Sequence, residues 1–161
     1  MHEDPTRADV RAENARVASP AEEFGEAYEP WIIELGELDE KMGVVVEEQS
    51  AERVVATMPV EGNRQSLGLL HGGASVALGK MLGSWAAVIH GSTMGKVAVG
   101  VDINATHHRG VRSGFVTATA TVLSAGRSVA AYDVAIVDDE GRRVCTSRIT
   151  CVLRDAPTKA K

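Results

Sequence analysis

His71-Gly72-Gly73 stands at the head of a nearly apolar stretch in which Lys80 is the one charged residue before His90. From His71 to His90 the pattern predicts a helix, with two glycines opening it and Gly91 just past its end. The first turn of a helix leaves backbone N–H groups without partners. With only glycine side chains around them, those groups form a ready site for an anion or a polarised carbonyl oxygen. Lys80, alone among Leu78, Met81 and Leu82, is expected to be buried, and a buried lysine is costly without a partner or a task. Burial beside a positive helix end would favour the neutral amine.

The body of this helix (Ala74, Val76, Ala77, Leu78, Met81, Leu82, Trp85, Ala86, Val88, Ile89) is apolar nearly all round, so it belongs inside a domain. What surrounds it reads as strands. Gly43–Gln49 and Glu52–Pro59 are β-branched runs forming a hairpin, and a loop, Glu61-Gly62-Asn63-Arg64-Gln65-Ser66, leads into the helix. Lys96–Thr106, Gly114–Leu123, Ser128–Val137 and Arg142–Leu153 follow, broken by turn signals such as Ser124-Ala125-Gly126-Arg127 and Asp138-Asp139-Glu140-Gly141. Thr117, Thr119 and Thr121 alternate with Val116, Ala118 and Ala120 at a period of two. A short amphipathic helix is expected over Tyr28–Leu38, with Pro30 in its first turn. The order β-β-α-β-β-β-β implies an α+β domain, one antiparallel sheet wrapped around one helix. The helix is apolar on its other sides too, so a second copy is expected to cover them.

Residues 1–27 are polar and aperiodic and are expected to form a flexible extension, 28–155 the single domain, and 156–161 a flexible tail. The 161 residues, 44% hydrophobic and 24% charged, suit one globular domain. A formal net charge of −5 without a Lys/Arg stripe argues against nucleic acid as a partner. No run approaches the ~20 uninterrupted apolar residues of a membrane helix, and the charged N-terminus has no apolar signal core. Cys145 and Cys151 fall on one face of one strand, too far apart to bridge, as free thiols in a reducing cytoplasm. His107-His108 point oppositely on an extended chain and no acidic partner motif follows, so no metal is expected.

The segments Gly68-Leu69-Leu70-His71-Gly72-Gly73-Ala74-Ser75-Val76 and Val99-Gly100-Val101-Asp102-Ile103-Asn104-Ala105-Thr106-His107, in this order, carry a resemblance. So do Asp139-Glu140-Gly141-Arg142 and Cys145-Thr146-Ser147-Arg148-Ile149-Thr150. Over roughly Trp31 to Leu153 the chain resembles the hotdog-fold acyl-CoA thioesterases of the phenylacetate-pathway type. Within them it is most similar to those acting on aromatic acyl-CoAs, including dihydroxynaphthoyl-CoA. The resemblance implies a six-stranded sheet around a central helix, a homodimer or homotetramer, and hydrolysis of an acyl-CoA without a cofactor. It implies that the N–H of Gly73, or of Gly72, holds the thioester carbonyl oxygen. Gln65 would orient the thioester or the attacking water, His71 fix the helix mouth, and Ser84 position water. His107 would line the acyl pocket, and Arg109, Gly126 and Arg127 would meet the CoA phosphates, with Arg112 close to that basic group.

One position departs. Where the family has a glutamate or aspartate as nucleophile or general base, this chain has Lys80, preceded by Gly79. An ammonium takes no proton, and a neutral amine attacking an acyl group would stall as an amide. Hydrolysis is therefore expected to be weakened or rerouted to another carboxylate, with Asp102 and Glu61 the nearest to the matched segments. The alternative is a non-catalytic acyl-CoA-binding or regulatory protein. A hydratase of the same fold would need an aspartate–histidine loop motif that this sequence lacks.

Overall fold

A computed structural model of the protein describes residues 35–155. A short helix, α1 (Glu37–Met42), precedes strands β1 (Val45–Gln49) and β2 (Arg53–Pro59). The long helix α2 (Gly72–Ser92) comes next, and then β3 (Lys96–His107), β4 (Phe115–Ala125), β5 (Val129–Asp138) and β6 (Arg143–Asp155). The strands form one antiparallel sheet in the order β1-β2-β4-β5-β6-β3, and α2 packs against it. Each strand lies within two residues of its predicted bounds. The early helix does not. Leu35 and Gly36 are non-helical, and α1 begins at Glu37 because Gly36 is its N-cap in an extended conformation, with Asp39 accepting the Gly36 N–H at 3.1 Å. The rest of the helix expected over Tyr28–Leu38, and both flexible termini, lie outside the described residues.

Alternation sets the core. Inward residues of the central strands (Val54, Ala56 and Met58 of β2; Val116, Ala118 and Ala120 of β4; Tyr132, Val134 and Ile136 of β5) are fully buried. Cys145, Ser147, Ile149, Cys151 and Leu153 repeat this on β6, so both thiols are buried, unbridged and on the same face. Against that face α2 presents small residues. A Cβ on Gly79 would stand 2.7 Å from the Ser147 Oγ, and one on Gly83 would collide with the Ile149 Cγ2. These glycines let the helix axis settle closer to the sheet than side chains would allow. By length and composition α2 could cross a membrane, but here it is the core helix.

Candidate functional site

The N-terminus of α2 is fixed by its approach loop. Asn63 donates to the carbonyls of Met42 and Pro59 at 2.7 and 2.9 Å, while the Asn63 carbonyl accepts the His71 N–H at 2.8 Å. Gln65 sits in the tight turn that follows: its N–H reaches the Leu69 carbonyl at 2.7 Å and its carbonyl accepts the Gly68 N–H at 2.9 Å. Arg64 and Arg112 cross-brace this loop to the segment after β3, Arg64 Nε to the Arg112 carbonyl at 2.8 Å and Arg112 to the Leu67 carbonyl at 3.4 Å. Arg112, which the sequence groups with the arginines expected at the CoA phosphates, braces the loop.

His71 is the N-cap of α2, and its Nδ1 accepts the Gly73 N–H at 2.8 Å. That bond fixes Nε2 as the protonated nitrogen of the neutral ring. It also separates the two candidate amides. The Gly73 N–H is engaged by its own cap, whereas no hydrogen bond among the described residues engages the Gly72 N–H. The His107 ring lies against Gly72, its Nε2 3.1 Å from where a Cβ would stand, so only glycine leaves that approach open. His108 Nε2 instead pairs with the Thr146 Oγ1 at 3.0 Å. Among the described residues no cluster of His, Cys, Asp and Glu could hold a metal.

A cavity of about 470 Å³ lies between α1, α2 and the edge strand β3 and includes Gly73, Ala77, Lys80, Ser84 and Trp85, with Ile103 of β3. Lys80 is exposed here, not buried as expected, and its aliphatic stem lies over Gly100. Ser84 shares the cavity wall. Its Oγ is enclosed without a hydrogen-bond partner, with only the weakly polar Cys151 thiol beside it. Burial pushes that thiol above its ordinary range, against a downward pull from Ser84 and Lys80. Gly73 and Lys80 are roughly 10 Å apart along the helix axis. One thioester carbonyl cannot reach both within a single chain.

The remaining candidates scatter. Asp102 is exposed on the outer face of β3, past a bulge at Gly100/Asp102, and Glu61 is paired with Arg64 in the loop; neither enters the cavity. Arg109 lies just beyond β3, at the end of the sheet that holds the α2 N-terminus. Arg127 lies in the β4–β5 turn at the other end, where His90 near the α2 C-terminus meets the Gly126 carbonyl at 2.9 Å. The 21 residues of α2 span about 30 Å, so Arg109 and Arg127 of one chain do not share a phosphate.

Sequence reasoning missed the acid that does line the cavity. Asp39 of α1 faces into it together with Leu38. Burial pushes the Asp39 carboxyl above the usual carboxylate range, with the Gly36 N–H and the Lys80 charge pulling it back. In sequence it reads only as an acid in the first turn of a helix, where any such residue serves the dipole.

The thioesterase superfamily profile matches residues 67–145, from the approach loop to β6. The proofreading thioesterase EntH of Cronobacter sakazakii is 39% identical over 120 residues, which cover 74% of this chain and 87% of EntH. Thioesterase HI1161 of Haemophilus influenzae superposes with a TM-score of 0.70 at 36% identity, covering 77% of this chain and 87% of that one. A Staphylococcus aureus thioesterase, solved with a glutamine changed to alanine, superposes with a TM-score of 0.71 at 31% identity (74% and 99% covered). The same S. aureus protein has also been solved with a glutamate changed to alanine. The chain belongs to the thioesterase superfamily, and its sheet wrapped around α2 is the hotdog fold.

Proposed function

We propose that this protein hydrolyses an aromatic or medium-chain acyl-CoA thioester, with the carbonyl oxygen held by the Gly72 N–H. The observation that carries this reading is the unengaged Gly72 amide at the head of the buried α2, beside His107 and at the mouth of the approach loop. A backbone N–H placed there, reinforced by the helix dipole, stabilises the oxyanion that forms when water adds to the carbonyl. His71 holds the turn by capping Gly73, Gln65 orients the thioester, Ser84 holds water, and His107 borders the acyl group. The two changed positions in the S. aureus thioesterase, a glutamine and a glutamate, are as far apart in that chain as Gln65 and Lys80 are here. That spacing supports Gln65 as a site residue and Lys80 as the replacement of an acid. Hydrolysis is therefore rerouted here.

Two copies complete this site. Among the described residues β3 is a sheet edge paired on one side only, carrying Val97, Val99 and Val101, 40, 51 and 59% exposed. An unpaired apolar edge of that length invites pairing with a second β3. A neighbouring copy would then set its Lys80 and Ser84 against the Gly72 and Gln65 of the first, and supply Arg127 where Arg109 is too far away. Sedimentation is expected to show a dimer or tetramer. The second reading, a non-catalytic acyl-CoA-binding protein, is favoured by Lys80 alone. The two separate in one experiment: thiol release from a panel of aryl- and alkanoyl-CoAs, beside titration with a non-hydrolysable acyl-CoA. Release is expected; tight binding without release gives the second reading.

A further inference from the structure

We infer that Asp39 is the general base of this site, standing in for the carboxylate absent at position 80. The inference rests on the hydrolase reading above. Three observations lead to it. Asp39 and Lys80 line the same cavity, whose wall also carries Ser84 and Gly73, and among the described residues no other carboxylate lines it. The Asp39 carboxylate is held by one oxygen: Oδ2 accepts the Gly36 N–H at 3.1 Å, which fixes its direction from the first turn of α1. Lys80 faces it without forming an ion pair, leaving a gap between acid and ammonium in a cavity large enough for an acyl group and water.

The chemistry balances within the site. Asp39 takes a proton from water as the water oxygen bonds to the thioester carbonyl carbon, and the negative charge passes to the carbonyl oxygen, held by the Gly72 N–H of the neighbouring copy. The intermediate collapses, the C–S bond breaks, and the departing CoA thiolate takes the proton from the Asp39 carboxyl. Water is consumed, and a carboxylic acid and a thiol are formed. Lys80 is then a positioning residue, a positive charge that keeps Asp39 ionised near neutrality. Burial lifts Asp39 toward the operating pH, where a base combines availability with basicity. The other charged groups of α1, Glu37, Glu40 and Lys41, do not line the cavity.

The test is thiol release by the full-length protein and its D39N, D39E and D102N variants, followed as kcat/KM against pH. Asparagine keeps an acceptor for the Gly36 N–H, so D39N is expected to match the wild-type thermal midpoint while losing at least about 100-fold in kcat/KM. Its acidic limb should disappear, and D39E should recover part of both. D102N should follow wild type. Undiminished release by D39N overturns Asp39 and leaves the hydrolase reading standing. An absence of release from every acyl-CoA by the wild type, despite binding, overturns both.

Discussion

The two sides of α2 obey different rules. The side toward the sheet is made of Ser75, Leu78, Gly79, Leu82, Gly83, Ala86 and Ala87, all buried. There, residue size is dictated by what stands opposite: Ser147 against Gly79, Ile149 against Gly83. The side toward the cavity carries Val76, Ala77, Lys80, Ser84 and Trp85, half-buried or exposed, with polar groups that no packing requirement explains. One side fixes where the helix lies, and the other is free to vary its chemistry. A lysine at position 80 is therefore tolerable to the fold, while a single methyl group at Gly83 on the other side is not.

Gly83→Ala should produce the largest effect. Its methyl group would have to displace the fully buried, β-branched Ile149. Overpacking of this kind costs about 2 kcal/mol after alanine's helix preference is credited. Urea titration would measure it, and a variant as stable as wild type would show that the sheet side has slack. On the cavity side, Lys80→Glu should leave stability within about 0.5 kcal/mol, as exposed substitutions do. Its kcat/KM should change less than about tenfold, because a second carboxylate beside Asp39 shares a proton with it rather than adding an independent base. A gain of about a hundredfold or more, within the range for a restored general base, would mean that the cavity had no working base before the change.

The sheet side was legible in sequence and the cavity side only partly so. Period-two runs such as Val116–Val122 and the long apolar helix fix both element type and inward face, because burial selects side chains by position. His71, Gly72 and Gly73 were legible as a helix mouth, but which amide is free depended on the direction of the His71 ring. Lys80 looked buried because its sequence neighbours are apolar, yet helical neighbours in sequence occupy different faces. Asp39 was invisible, since nothing in sequence joins α1 to the middle of α2. Arg109 and Arg127 looked alike as basic turns, and only the antiparallel order of β3, β6, β5 and β4 sends them to opposite ends.

That separation of the arginines gives the next test. Arg127→Ala, in an exposed turn at the far end of α2, should weaken binding of a non-hydrolysable acyl-CoA about fivefold, the loss of roughly 1 kcal/mol of charge-assisted hydrogen bonding to phosphate. It should also flatten the salt dependence without touching the Asp39-controlled pH limb. Calorimetry at two salt concentrations measures both, and an unchanged Kd would place the phosphates at the Arg109 end.

The smallest effect concerns acid, and it separates stability from rate. Asp138, at the end of β5, is buried, which alone would raise its carboxyl. The Arg142 N–H at 2.9 Å, the Arg142 Nε at 2.8 Å and the Glu140 N–H at 3.1 Å outweigh that and hold it below the usual carboxylate range. A carboxyl depressed in the folded state contributes stability that is fully present above its unfolded pKa of about 4 and is lost as pH falls through the folded value. Asp138→Asn should therefore lower the thermal midpoint modestly near pH 7. Its curve should converge on wild type as the solution is acidified below about pH 4. Asp39 is displaced in the opposite direction, so the acidic limb of kcat/KM should lie at higher pH than this loss of stability and be unmoved by Asp138→Asn. Were both profiles to shift together in that variant, the β5–β6 turn and the cavity would be coupled through the sheet, and the two sides of α2 would not be independent.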